Sequence, residues 1–158
     1  MPKSKPRDSK RQAVYDSEYA ALHDHVSNTN FETIPRVREF VEKILRSQWY
    51  KAYKVMPTVV GGWERHPYRY CEIRDGRGRR RPCATTGVMK LPRAGRYKHV
   101  VLHELAHHMQ TERRPWHGKQ FRRIYLDLVR RWMGHDAWEL LRAEYKKRNV
   151  RYVVARRP

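Results

Sequence analysis

Residues 101–109, VLHELAHHM, constrain what this chain can fold into more than any other stretch. His103 and His107 stand four apart, so on a helix their imidazoles share one face about one turn from each other, as two ligands of one metal ion must. Val101, Leu102, Leu105, Ala106 and Met109 are uncharged, and neither Pro nor Gly interrupts the run. That pattern predicts a helix over roughly 97–112, buried among other elements.

Glu104 follows the first histidine and is displaced about 100° around the helix. It is badly placed to chelate with the two imidazoles, but it can reach a water at an open metal position. The residue types suit the chemistry: neutral imidazoles hold Zn²⁺ without cancelling its charge. The ion lowers the pKa of water toward about 7, and a carboxylate takes the proton and returns it to the leaving amine. The expected cofactor is one catalytic Zn²⁺, with Glu104 as general base.

A catalytic zinc site needs a third protein ligand. His117, in WHGKQF, lies beyond the break RRP, where an antiparallel return would bring it back to the first two, and Gly118 leaves room for that approach. His99, His108 and His135 compete for the role. His108 points about 100° away from His107, and His99 lies one turn before His103. His23, His25 and His66 read as solvated or core-packed side chains.

Around this segment the chain reads as one α+β domain over 13–158, after a disordered basic tail at 1–12. Its 158 residues, 39% hydrophobic, suit a single modest core. Tyr15, Tyr19, Leu22 and Val26 recur at helical spacing, as do Val37, Phe40, Val41, Ile44 and Leu45 after Pro35. Residues 55–92 hold β-prone runs, VMPTVV, YRYCEI and PCATTGVMKL, expected to form a small, mainly antiparallel sheet.

CEIRDGRGRRRPC reads as a hairpin centred near Arg77, with Cys71 opposite Cys83 as buried free thiols. GVMKLP reads as a strand, either an edge available to an extended peptide or an ordinary core strand. A helix from near Trp116 carries Phe121, Ile124, Tyr125, Leu128, Val129 and Trp132 and stops at Gly134. Asp136 is expected to cap a last helix, and VRYVV to form a short strand or extended tail.

The formal charge of +20 makes DNA, RNA or an acidic protein surface an expected partner class. Arginines outnumber lysines 25 to 11, a bias that a GC-rich genome gives without any selection for binding. The basic surfaces expected to meet a nucleic acid are Arg77, Arg79, Arg80 and Arg81 at the hairpin tip, with Arg113, Arg114, Lys119, Arg122 and Arg123 near the metal mouth. No run approaches the roughly 20 apolar residues of a membrane helix, and MPKSKPRDSKRQ lacks the apolar part of a signal peptide. A cytoplasmic protein with no membrane partner is expected, in the host cytoplasm if a phage encodes it. Two cysteines exclude a four-cysteine zinc ribbon and a disulfide framework.

HELAHH followed by WHGKQF resembles the SprT-like zinc metallopeptidases, which include the Spartan proteases. The matching positions are His103, Glu104, His107, His117, Gly118 and Phe121. DSKRQAVYDSEY, GVMKLP, VVLHELAHHM, WHGKQF and MGHDAWELLRAEY together look more closely like a small metallohydrolase family of actinobacteria and their phages, over most of the chain. The resemblance implies a compact zincin core with the metal between the motif helix and the next. It also implies a protein or peptide substrate, in some relatives one bound to DNA.

The leading expectation is a zinc metallopeptidase with Tyr97 or Tyr125 as oxyanion donor. A zinc amidase acting on a small molecule or cell-wall peptide would show a narrow, closed pocket. A non-catalytic nucleic-acid-binding protein with structural zinc would show a fourth ligand from His99 or a cysteine.

Overall fold

The computed structural model describes residues 8–55, 64–65, 70–85, 87–112 and 115–153. Among them are six α-helices: α1 Arg11–Leu22, α2 Ile34–Arg46, α3 Gln48–Ala52, α4 Lys98–Met109, α5 Lys119–Trp132 and α6 His135–Lys147. The strands are β1 Lys54–Val55, β2 Glu64–Arg65, β3 Glu72–Asp75, β4 Cys83–Thr85 and β5 Val88–Leu91. The architecture is α+β, with helices first, a small sheet in the middle and the metal-motif helix followed by two more.

Local chemistry explains most boundaries. The Thr33 hydroxyl accepts from the Arg36 N–H, Pro35 sits in the first turn of α2, and Val37, Val41 and Ile44 face the core. On α5 the stripe Phe121, Ile124, Tyr125, Leu128 and Val129 is wholly buried. Gly134, at φ 103°, makes a left-handed break that an L-side chain resists, and α6 starts beside it. Asp136 lies in the first turn of α6, but the helix has no side-chain cap, so the expected capping role is not realised.

Helix α4 is nearly enclosed: it packs on α5 and also on β4 and β5, while α1 packs on α6 and α6 on α5. From Val101 to Gln110 every residue is buried, as its uncharged flanks require. Helix α1 buries Val14, Ser17, Glu18, Ala21 and Leu22. Of the expected Tyr15–Tyr19–Leu22–Val26 stripe Leu22 does face the core, but Tyr19 is exposed and Val26 lies beyond the helix end, fully solvated.

The three-stranded sheet has the order β3-β5-β4 and is mixed, not mainly antiparallel: β5 runs parallel to β3 and antiparallel to β4. Two expectations fall with this. The tight turn is the one at Gly87 between β4 and β5, so β3 and β4 do not pair, and Cys71 and Cys83 are not cross-strand neighbours. Strand β5 is central rather than an edge. Its register sets Met89 beside Ile73, and both are buried, which pairs apolar with apolar across the sheet.

Lys10 precedes α1 directly, and Asp8 is already packed on the rest of the chain, so the expected tail at 1–12 is structured from residue 8. Residues 1–7 lie outside the described residues, as do 56–63, most of the VMPTVV run. The terminal stretch 151–153 forms no strand, and Val154 lies outside the described residues.

Candidate metal centre

Helix α4 carries His103 and His107 on one face, and the described residues 110–112 and 115–118 bring His117 back to them. Side chains hold this return in place. Gln110, the C-terminal cap of α4, donates from its amide nitrogen to the carbonyls of Glu112 and Trp116 at 3.1 and 3.0 Å. Gln120 accepts from the N–H groups of Thr111 and Glu112 at 3.0 and 2.7 Å. The Gly118 N–H closes a turn onto the Pro115 carbonyl, and a Cβ at Gly118 would lie 3.0 Å from that oxygen and from the Pro115 ring. A side chain there would require Pro115 to give way by a few tenths of an ångström.

The three imidazoles meet through their Nε2 atoms, at 3.1 Å for His103–His107, 3.2 Å for His107–His117 and 3.2 Å for His103–His117. All three rings are buried. Each Nδ1 faces an oxygen. His103 Nδ1 lies 2.8 Å from both Glu18 oxygens, His107 Nδ1 lies 2.6 Å from Gln110 Oε1, and His117 Nδ1 lies 2.6 Å from Asp8 Oδ2. The two carbonyls that hold the Gln110 amide nitrogen fix its oxygen toward His107.

With oxygen acceptors at every Nδ1, the ring protons belong there, and the three Nε2 atoms present lone pairs to one another. Three lone pairs crowded in a buried space repel unless a cation sits between them. Two His–metal bonds of about 2.0–2.1 Å at a tetrahedral angle separate their nitrogens by about 3.3 Å. The observed spacing fits, so the triad could hold one metal ion. Among the described residues no fourth His, Cys, Asp or Glu joins the cluster. The competitors are engaged elsewhere: His99 Nδ1 meets Asn28 Oδ1 at 3.1 Å, and His108 Nδ1 accepts from the Gly87 N–H at 3.3 Å.

Electrostatics favour neutral ligands. Burial holds His103 and His107 well below the ordinary histidine range, and burial raises Glu18. Glu104 is buried on α4, and burial, then the Glu18 carboxyl, push it up to about 8. A cleft of about 430 Å³ opens at this point, with Glu104 and His103 in its wall.

Tyr15 of α1 lines the same cleft and stacks on His103, with centroids 5.1 Å apart and planes 15° apart, and it also leans on His117. Tyr125 also packs edge-on against His103, at 5.7 Å, but Tyr15 is the one of the two that lines the cleft. Tyr125 is wholly buried and donates to the His99 carbonyl at 3.0 Å, and Tyr97 caps α4 with its ring against His23 and His99, so neither expected oxyanion donor lines the cleft.

The basic residues divide. Arg77, Arg79, Arg80, Arg81 and Lys119 are exposed, and Arg80 and Arg81 reach the cleft. Arg122 and Arg123 are buried and contradict their assignment to a nucleic-acid surface. Arg122 donates to the Arg151 carbonyl at 2.9 Å. Arg123 donates to the Lys54 carbonyl at 3.0 Å and lies over the Tyr53 ring. Arg113 and Arg114 lie outside the described residues.

Sequence reasoning missed Asp8, Tyr15, Glu18 and Gln110. A periodic α1 with an acid on its buried face was the available signal for Glu18. Gln110, a polar residue closing an otherwise apolar helix, was a fainter one. No described helix is long and apolar enough to cross a membrane. No family model, curated protein or solved structure matches the chain.

Proposed function

We propose that the chain is a zinc-dependent metallohydrolase, and specifically a metallopeptidase, with His103, His107 and His117 as ligands and Glu104 as the base. The observation that carries the reading is the convergence of three buried Nε2 lone pairs at 3.1–3.2 Å, with His103 and Glu104 in the wall of one cleft. When bound there, zinc supplies Lewis acidity, polarising a carbonyl and making water acidic near neutral pH.

The chain's own residues do the rest. Asp8, Glu18 and Gln110 hold the ligand tautomers and ring orientations. Glu104 takes the proton of the attacking water and returns it to the leaving amine. Tyr15 covers one side of the centre and limits water there. The cleft has exposed walls at Arg80, Arg81 and Tyr19, which suits an extended peptide better than a small molecule in a closed pocket. The triad without a fourth ligand among the described residues suits a catalytic ion better than a structural one. The order HELAHH then WHGKQF, similar to SprT-like peptidases, supports the same reading.

The test is Glu104→Gln against wild type, both zinc-loaded, with casein as substrate. Equal metal content and a loss of cleavage of about 10²–10⁴-fold are expected. A variant that cleaves as fast as wild type rejects Glu104 as the base.

A further inference from the structure

The wall of the cleft facing α1 comes from the segment that leads into β4. Arg80 and Arg81 stand there, exposed, with Pro82 next to them and Pro92, Gly95 and Val100 giving an apolar floor. Among the described residues neither arginine has an ion-pair partner, whereas the neighbouring Arg77 and Arg96 both pair with Asp75. The opposite wall carries the exposed carboxylate of Asp16 and the buried carboxyl groups of Glu18 and Glu104. Asp16 is held by the Gln12 amide at 2.9 Å and Glu18 by His103.

The cleft thus sets two exposed arginines on one side against the exposed Asp16 carboxylate and two buried carboxyl groups on the other, and this separates two kinds of ligand. A nucleic-acid strand carries a charge at every nucleotide and would set phosphates against the Asp16 carboxylate and the buried carboxyl groups below it. A peptide backbone is neutral and can turn one acidic side chain to the arginines alone, where a guanidinium matches a carboxylate fork to fork.

We infer that Arg80 and Arg81 form a specificity subsite that seats an aspartate or glutamate side chain of a peptide substrate next to the bond being cut. This rests on the peptidase reading, and it names the substrate class as acidic peptides. The long-range field of a chain at +20 assists by steering acidic segments inward.

Binding tests it without turnover. Zinc-loaded Glu104→Gln protein is titrated, by fluorescence anisotropy, into two labelled octapeptide pools that differ only at one central position, Asp or Glu in one and Asn or Gln in the other. The acidic pool should bind about three- to tenfold more tightly at low salt, the size two exposed ion pairs give. Added Arg80→Gln and Arg81→Gln should abolish the preference, Arg80→Lys and Arg81→Lys should keep part of it, and rising salt should erode it.

Equal binding of the pools, or a preference that survives the Gln pair, overturns the inference. So does a single-stranded oligonucleotide that displaces the acidic pool at lower concentration than unlabelled acidic peptide does. If wild-type enzyme cuts both pools equally while neither is preferred in binding, the peptidase reading stands and the subsite falls. If the acidic pool is preferred through the arginines but cut by no zinc-loaded enzyme, the subsite stands and the peptidase reading falls.

Discussion

Three protons decide the character of the centre, one on each Nδ1. Glu18 and Asp8 place two of them from the N-terminal segment, and Gln110 places the third from the end of α4. Asp8 is the easiest to probe, because it is partly solvated and its loss leaves no buried void. Asp8→Ala should weaken zinc affinity by about 10–100-fold while His103, His107 and His117 remain, as measured by competition with a chromophoric chelator. Unchanged affinity would mean that Asp8 does not orient His117. At this scale the sequence was readable where helix geometry fixes the distance: His103, Glu104 and His107 follow from the 3.6-residue turn. The acceptors lie 85 and 109 residues from their histidines, and no periodicity encodes such a pairing. Arg122 and Arg123 show the converse. Charge and nearness in sequence to His117 suggested a surface, but Lys54 and Arg151 carbonyls from distant segments cover them.

At the scale of elements, the return between α4 and α5 controls the third ligand. Gly118→Ala would push a methyl against Pro115 and open the turn that presents His117. The expected cost is about 1–3 kcal/mol of stability, read by urea denaturation, together with weaker zinc binding. A variant as stable as wild type with full affinity would show that the turn relaxes without moving His117. The longer helices were legible from their apolar stripes, although α5 begins at Lys119 rather than Trp116 and leaves Trp132 half-buried, the α1 face was misread, and the five-residue α3 carried no stripe. The sheet was not legible. Three strands of three or four residues carry too little alternation to fix partners, so the tightest turn, at Gly87, chose β4 for β5 and left β3 to pair in parallel.

Across the whole molecule, the centre joins the two ends of the fold. From the N-terminal segment Glu18 and Tyr15 reach His103 and Asp8 reaches His117, while α1 itself packs on α6, so one ion on the three histidines would be held by ligands oriented from the early part of the chain. The interior round α4 could hold a cation among neutral rings, and the role proposed for the basic exterior is to draw acidic chains to the cleft. Metal content measured on the purified chain, dialysed with zinc and then against buffer, tests this most directly when wild type is set beside His117→Ala. One zinc per chain in wild type and a large loss in the variant is the expected result. Wild type without zinc, or His117→Ala with a full equivalent, would contradict a metal centre built on the three histidines.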